Sequence, residues 1–231
     1  EFVTRPKFAD AVINGTMDHI HVETSLPIIR AGYDILLEKP ISPVPKECFD
    51  LAATATAKGV KVLVCHVLRY TPFYRIVKKA VDDGLLGDII NIIHTEEVGN
   101  IHQSHSFVRG KWGNTERSSP MLLQKCCHDM DILSWLIGKK CQKVASFGAL
   151  TYFKEENAPE GSTERCLDCP VKDCPFNAVD YYIPRIGKSI HPRVLHPEPT
   201  PENIRQALRT SDYGKCVFRM DNDVVDHQTV N

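Results

Sequence analysis

Three polar side chains that could bind a ligand each follow a short apolar run in the first third of the sequence. They are Thr16 after residues 11–13, Lys39 after residues 35–37 and Arg69 after residues 60–65. If the apolar runs are parallel strands, these side chains share the sheet edge where open α/β folds bind their ligands. A lysine in such a place is often only solvated, but Pro40 restricts the backbone of Lys39 and favours a fixed position.

A histidine, His128, lies within an apolar pattern that predicts a helix from Met121 to Ile137. Gln124 and Asp131 share its face on such a helix, because they lie four residues before it and three after it. Asp131 could orient the imidazole, and Lys125 would favour its neutral, proton-accepting form. His128 could therefore act as a general base, although a single helical histidine is more often part of a core.

The third candidate group is the spacing C-x-x-C-P-x-x-x-C-P, formed by Cys166, Cys169 and Cys174. A close C-x-x-C pair suits a tetrahedral metal, and a structural zinc here would hold together a long cysteine-rich loop at residues 154–200. Proline after cysteine also occurs in iron–sulfur loops, although their spacing differs. Three thiols without a metal are the alternative. A fourth ligand is not evident; the sequence offers His191, His196, Cys126 and Cys127.

The elements that would position these groups alternate between strand and helix before residue 70. Strands are expected at 11–13, 35–37 and 60–65, with helices at 19–31 and 45–58, which end at Gly32 and Gly59. Near-continuous apolar strands joined by helices are typical of a parallel sheet covered on both faces. Residues 1–70 are therefore predicted to be part of a doubly wound α/β domain.

After residue 70 the pattern changes to longer strand-like segments with fewer helices. Strands are expected at 88–98, 143–150, 215–220 and 224–230, with helices at 72–83, 121–137 and 202–210. This grouping predicts an α+β domain at residues 71–231, with an open and mainly antiparallel sheet.

Composition narrows the class of protein. The formal net charge of −1 argues against a general nucleic-acid or membrane surface, and no apolar run approaches the length of a membrane span. Nine cysteines cannot all pair within one chain, and most of them lie in otherwise regular segments. That usage favours a reducing compartment, so a cytoplasmic location is expected.

Several stretches occur in an order that resembles the Gfo/Idh/MocA (glucose–fructose oxidoreductase/inositol dehydrogenase) family. AVINGTMDHIH at 11–21 resembles its fourth Rossmann strand and turn, with Met17 where proline is usual. ILLEKP at 35–40 resembles the end of its fifth strand, and CHDMDILSWL at 127–136 resembles its H-x-x-D-x-x-x-W helix. RYTP at 69–72 and GLLG at 84–87 match further landmarks in the right order.

The resemblance implies an enzyme that transfers a hydride between NAD or NADP and a hydroxyl or keto carbon of a sugar, cyclitol or related polyol. It implies that His128 and Lys39 share the proton transfer, with a Lys39–Pro40 peptide that is commonly cis. Gln124 stands where the family usually has aspartate, so Lys125 could take part instead, or the substrate or activity could differ. The implied cofactor residues are Thr16, His21, Glu38, Lys39, Pro40 and Arg69, and the implied substrate residues are Gln124 and Asp131.

The sequence has no G-x-G-x-x-G turn, so we expect the chain to supply only strands 4–6 of an N-terminally truncated Rossmann domain. About 60 residues that bind the cofactor phosphates would be missing, and the chain alone should bind NAD and NADP weakly. A homo-oligomer through the second-domain sheet is expected. The alternatives are an NAD-dependent glycosidase of the same family and a non-catalytic binding module held together by a metal.

Overall fold

The structure is a computed structural model that describes residues 2–231. It divides into two compact units, which are described separately below. Of the described residues, the first unit contains 2–96 and 118–144, and the second contains 97–117 and 145–231.

In chain order the strands are β1 (Ala11–Asn14), β2 (Asp34–Leu37), β3 (Val62–Val64), β4 (Ser146–Ala149) and β5 (His227–Val230). The helices are α1 (His21–Arg30), α2 (Pro45–Lys58), α3 (Pro72–Asp82), α4 (Asn100–His102), α5 (Met121–Gln124), α6 (Cys127–Ile137), α7 (Ala178–Tyr182), α8 (His191–Leu195) and α9 (Pro201–Thr210). A π-helical segment, Gln103–Arg109, continues from α4. Within the described residues, no helix combines the length and apolar character needed to cross a bilayer.

The first unit is built on a three-stranded parallel sheet in the order β1-β2-β3. The predicted strands, helices and parallel pairing before residue 70 are confirmed, and the sheet order is the one expected for strands 4–6 of a Rossmann domain. Helices α1 and α2 pack on each other and on the Ile35 and Leu37 face of the sheet. The resulting core contains Val22, Ile29, Tyr33, Ile35, Leu37 and Leu51. The expected covering of both faces is not seen in the described residues, because Ile13 and Leu63 on the opposite face are 75% and 55% exposed.

Helix α2 begins and ends as its sequence predicts. Pro45 occupies the first turn, where a missing backbone N–H has no cost. Gly59 ends the helix with φ of 64°, a left-handed conformation that residues with a Cβ rarely adopt. The chain then turns directly into β3, so the end of α2 fixes where the third strand starts.

The strand predicted at 88–98 is wrong, because residues 89–99 have no regular secondary structure. Ile90 and Ile93 are 92% and 89% exposed, so the apolar residues that suggested a strand find no partner in the described chain. The helix predicted over 121–137 is interrupted at Lys125 and Cys126, which separate α5 from α6.

The second unit has a small antiparallel sheet of β4 and β5 and two apolar clusters. The predicted antiparallel character is confirmed, but the described sheet has two strands. The strand predicted at 215–220 is wrong. Val217 and Phe218 lie in a 3₁₀ turn and are both buried, whereas successive residues of a half-exposed strand would alternate between core and solvent.

Candidate active site

Buried side chains connect the ends of β1 and β2 in the first unit. His21, which is 1% exposed, has Nδ1 2.7 Å from the carbonyl oxygen of Pro40 and Nε2 2.9 Å from that of Thr16. Asn14 Nδ2 donates to the Ser25 hydroxyl at 2.8 Å, and Asn14 Oδ1 accepts from the Thr16 hydroxyl at 2.8 Å. The turns after both strands are therefore held to one framework beneath the sheet edge.

Lys39 follows β2 on that framework, and its peptide bond to Pro40 is cis, as expected. Its Nζ donates a hydrogen bond of 2.5 Å to the backbone carbonyl of Gln124. This contact joins the strand end to the last residue of α5, within the first unit. Burial lowers the pKa of both His66 and His128, and the nearby positive charge of Lys39 lowers both further.

Gln124 is buried, and its side chain is occupied by the preceding segment. Its Nε2 donates to the carbonyl of Ser119 at 2.8 Å, and its Oε1 accepts from the Ser118 hydroxyl at 3.3 Å. The interruption between α5 and α6 lies directly after the Gln124 carbonyl that accepts from Lys39. Position 124 thus contributes a backbone oxygen to Lys39 while its amide anchors the segment before α5.

Asp131 on α6 binds Arg69 rather than His128. Arg69 Nε and Nη2 donate to the two carboxylate oxygens at 2.6 and 2.5 Å, in a bidentate pair that raises the pKa of the guanidinium. His66 Nε2 lies 3.9 Å from the same carboxylate. The expectation that Asp131 orients the imidazole of His128 is therefore wrong, because both carboxylate oxygens are engaged by Arg69.

The surroundings of His128 lower its pKa and so favour the neutral imidazole. Burial lowers its pKa most, followed by the positive charge of Lys39, the neighbouring His66 and Lys125. The His66 and His128 rings meet edge to face, with centroids 5.9 Å apart. The Nδ1 atoms of both rings are buried without a hydrogen-bond partner. A neutral imidazole can accept a proton or a hydrogen bond at one nitrogen, and because Nδ1 is buried in both rings, a ligand would have to approach Nε2.

Asp129, next to His128, belongs to a second polar group on the same unit. Its Oδ1 lies 2.7 Å from His94 Nε2, while its Oδ2 is buried without a partner. Nearby, Lys125 Nζ donates to Glu96 Oε1 at 2.5 Å. His94, Glu96 and Asp129 offer ligand atoms within 4.8 Å of one another, but the Lys125 ammonium already balances part of their charge.

The cysteines predicted to bind zinc all lie in the second unit. Cys166, Cys169 and Cys174 line one cavity. Among the described residues, His94, Glu96 and Asp129 form the group whose three ligand atoms all lie within 4.8 Å of one another, so the three cysteine sulfurs do not form such a group. The geometry therefore does not support a structural zinc held by these three cysteines.

The predicted site residues of the first unit fall into two connected groups. One group lies at the ends of β1 and β2 and contains Thr16, His21, Glu38, Lys39 and Pro40. The other lies on and around α5 and α6 and contains Gln124, Lys125, His128, Asp131 and Arg69. The hydrogen bond from Lys39 to Gln124 connects the two groups, and His66 lies between His128 and Asp131. Sequence reasoning missed Asn14, His66, His94 and Asp129. Of these, His66 had a usable signal, because it follows the third apolar run by one residue.

The sequence of this chain matches two family models. One describes an oxidoreductase family with an NAD-binding Rossmann fold and matches residues 2–66, and the other describes the C-terminal alpha/beta domain of that family and matches residues 78–183. YteT of Bacillus subtilis, a protein named as an oxidoreductase, is 28% identical over 170 residues, 71% of this chain and 39% of that protein.

Two further relatives are named as dehydrogenases. Inositol 2-dehydrogenase 1 of Saccharopolyspora erythraea is 25% identical over 138 residues, which is 58% of this chain and 37% of that protein. The crystal structure of scyllo-inositol dehydrogenase from Lactobacillus casei with NAD(H) and scyllo-inositol has a TM-score of 0.55 and 26% identity, covering 64% of this chain and 42% of that one.

The matched regions span about two fifths of the length of these relatives. Both family models match in the order and at the places that the motifs predicted. The chain belongs to the Gfo/Idh/MocA oxidoreductase family.

Proposed function

We propose that this chain carries the proton-transfer half of an NAD- or NADP-dependent dehydrogenase site for a hydroxyl carbon of a cyclitol, sugar or related polyol. The proposal rests on the contact between Lys39 and the end of α5. Lys39 donates a hydrogen bond to the Gln124 carbonyl, and its positive charge helps to lower the pKa of His128. A fixed ammonium beside a neutral imidazole supplies what alcohol oxidation requires of a protein.

Oxidation of an alcohol needs a base to take the hydroxyl proton while the hydride leaves carbon. His128 suits this role because burial and the adjacent cations keep it neutral and able to accept. Lys39 suits the companion role, in which its ammonium donates to the substrate oxygen and stabilises developing negative charge. The proton on the hydroxyl would therefore pass to His128 while Lys39 holds the oxygen. Lys125 is less suited because Glu96 holds its ammonium at 2.5 Å.

The nicotinamide cofactor, when bound, accepts the hydride. The polar atoms at the sheet edge fit such a group, because Thr16, Glu38 and Lys39 follow the carboxyl ends of β1 and β2. We assign Pro40 to the same turn and His21 to a positioning role, since its ring is buried and faces two carbonyl oxygens. Arg69 contributes by fixing Asp131 near this edge, in place of the direct cofactor contact first expected.

The proposed substrate class rests on the relatives. Two of the similar proteins are named as inositol dehydrogenases, and one of these was solved with NAD(H) and scyllo-inositol. Gln124 cannot accept a proton, and its amide is engaged by Ser118 and Ser119. We therefore propose that Gln124 does not contact the substrate and instead holds the segment before α5 in place. We also propose that Asp131 acts on the substrate indirectly, through Arg69 and His66.

Activity of the full-length protein tests this function. The protein is incubated with NAD or NADP and a panel of cyclitols and sugars that includes scyllo-inositol, and formation of the reduced cofactor is followed. Net reduction that depends on Lys39 and His128 supports a dehydrogenase. Exchange of substrate hydrogen without net reduction supports the alternative, an NAD-dependent glycosidase. Absence of both reactions, with cofactor bound, would contradict the proposal.

Three further properties remain part of this proposal. Phe147 on β4 is 74% exposed, which supports a homo-oligomer formed through the second-unit sheet. Cysteines that lie mostly in regular segments and are free in the structure support a reducing, cytoplasmic location. The family places the phosphate-binding contacts in a glycine-rich turn, and the sequence of this chain has no G-x-G-x-x-G. We therefore assign no phosphate-binding role to the described residues.

A further inference from the structure

Three side chains of the kind that bind metal ions come together in the first unit and have no part in the proposed dehydrogenase chemistry. His94 and Glu96 belong to the irregular segment at residues 89–96, and Asp129 lies in the first turn of α6. One ligand atom from each side chain lies within 4.8 Å of the ligand atoms of the other two. His94 Nε2 and Asp129 Oδ1 are the closest described pair, at 2.7 Å.

The carboxylate of Asp129 is buried and only half satisfied. Asp129 is 3% exposed, and its Oδ2 has no hydrogen-bond partner within residues 2–231. Buried polar atoms are nearly always hydrogen-bonded, and buried charges are paired or coordinate a metal. The unsatisfied oxygen belongs to a side chain that already forms part of the group of three ligands. A positive ion in this group would therefore offset the cost of burying Asp129.

The charges around the group also favour a cation. Asp129 and Glu96 bring two negative charges, and Lys125 Nζ, 2.5 Å from Glu96 Oε1, brings one positive charge. Tyr74 and Cys126 lie near enough for Asp129 to add to the effect of burial, and both pKa values are raised, so these side chains stay neutral. The group therefore keeps an excess of one negative charge.

We propose that His94, Glu96 and Asp129 bind one divalent transition-metal ion, Mn²⁺ or Zn²⁺, which fastens the irregular segment at residues 89–96 to α6. One imidazole nitrogen with two carboxylates is a ligand set that suits these ions. Mg²⁺ and Ca²⁺ prefer oxygen ligands alone, so His94 disfavours them. This site does not depend on the dehydrogenase function proposed above.

The ligand atoms are close enough for an ion to enter with side-chain movements alone. Around an ion with bonds of about 2.1 Å, neighbouring ligand atoms lie about 3.4 Å apart. The hydrogen bond between His94 and Asp129 would give way to a bond from each side chain to the ion. Glu96 has a second carboxylate oxygen, so Lys125 can keep its partner. The side chains of His94 and Glu96 are 21% and 32% exposed, which gives the ion and its water ligands access.

The first test measures binding of Mn²⁺ by protein from which metal ions have been removed with a chelator. Mn²⁺ is the first probe because cysteine sulfur prefers softer ions, so the nine cysteines compete little. Titration calorimetry should show one Mn²⁺ per chain. Pulsed electron paramagnetic resonance should show one imidazole nitrogen bound to it, and the Tm should rise with Mn²⁺ concentration. Zn²⁺ is the second probe, and Mg²⁺ should bind more weakly than either.

Three variants identify the ligands. His94→Gln and Glu96→Gln should each weaken Mn²⁺ binding by about 10²-fold or more, since even changes behind metal ligands commonly cost 10- to 100-fold. His94→Gln should also remove the imidazole signal. Lys125→Gln should strengthen binding about 10-fold, because it removes a positive charge that repels the ion. His19→Gln, which changes an exposed histidine of the same unit, is the matched control and should bind as the wild type does.

Circular dichroism of each variant separates loss of binding from loss of folding. The gain in affinity expected for Lys125→Gln is a second safeguard, because a variant that merely unfolds cannot bind the ion more tightly. Failure of the wild type to bind either Mn²⁺ or Zn²⁺ would overturn the proposal. Unchanged Mn²⁺ binding and an unchanged imidazole signal in folded His94→Gln would overturn it equally.

Discussion

Lys39 and Gln124 lie 85 residues apart in the sequence and are joined by a hydrogen bond of 2.5 Å from the lysine ammonium to the glutamine carbonyl. The contact connects the turn after β2 with the end of α5, immediately before the helix that carries His128. The ammonium is therefore fixed where its charge also acts on the two nearby imidazoles.

Replacing Lys39 with alanine should lower turnover of the full-length protein by about 10² or more, because both the donor to the substrate oxygen and the positive charge are lost. Lys46→Ala is a suitable control, since Lys46 is an exposed lysine of α2 whose side chain pairs with Asp50. Steady-state kinetics with both variants measures the effect. Near-normal turnover by folded Lys39→Ala would exclude Lys39 from the mechanism.

The acid limb of the pH–rate profile should lie below the ordinary histidine value of about 6.5, because His128 must be neutral to accept a proton and burial lowers its pKa. As pH falls through the lowered pKa, His128 is protonated and kcat/KM decreases. Lys39→Ala removes the second cause of the shift, so the residual activity should show this limb at higher pH. An acid limb that is unaffected by His128→Asn would assign it to another group.

The Arg69–Asp131 pair should stabilise the first unit. Asp131→Asn removes the negative charge from a carboxylate that accepts two hydrogen bonds, and leaves the guanidinium with a weaker partner. Because Arg69 is partly exposed, we expect a coupling free energy of only about 1 kcal/mol in a double-mutant cycle with Arg69→Gln. Urea unfolding of the four proteins measures it. Strictly additive effects would mean that the two side chains do not interact in solution.

Stability of the second unit should fall in acid because of His105. Burial lowers its pKa to about 3, while the same group in the unfolded chain titrates near about 6.5. Below about pH 6.5 the unfolded chain therefore binds a proton that the folded chain does not, and stability decreases towards pH 3. Above about pH 6.5 the ring is neutral in both the folded and the unfolded chain, so His105 no longer lowers the free energy of unfolding. His105 Nδ1 lies 2.6 Å from the Tyr182 hydroxyl, so the folded unit also holds the neutral ring in place.

Urea midpoints at several pH values test this pH dependence. His105→Gln should flatten the change between neutral and acid pH by up to about 1.4 kcal/mol per unit of pH, even if it lowers stability at neutral pH. His19→Gln, an exposed histidine of the other unit, should leave the pH dependence unchanged. An equal slope in the wild type and in His105→Gln would assign acid sensitivity to other groups.

The sequence predicted the first unit well because local signals and packing agree there. Each apolar run is short, is followed by a helix with a recognisable end, and forms a strand of the parallel sheet, as at Gly59 and β3. The failures lie where the structure depends on distant partners. Residues 88–98 have a strand-like pattern but no partner in the described chain, and Val217 and Phe218 are both buried because a 3₁₀ turn, rather than a strand, holds them.

The contacts of the candidate site residues could not be predicted from the sequence. Motif order singled out Lys39, His128, Arg69 and Asp131, but it gave no indication that Asp131 would bind Arg69. Helical spacing alone placed Asp131 beside His128, because it contains no information about a side chain from 62 residues earlier. The interruption of the helix at Lys125 and Cys126 could not be predicted from the local sequence either. It follows the Gln124 carbonyl, which accepts a hydrogen bond from Lys39 at the end of a strand that is distant in the sequence.

Transfer of an isotope label tests the central claim most directly. Scyllo-inositol and related polyols carrying deuterium on the carbinol carbon are incubated with the full-length protein and oxidised cofactor, and deuterium in the reduced nicotinamide is measured by mass spectrometry. The account predicts direct transfer of the label, which is lost about 10²-fold or more in Lys39→Ala and in His128→Asn but retained in Lys46→Ala. Label transfer by Lys39→Ala at the wild-type rate, or no transfer from any polyol when cofactor is bound, would contradict it.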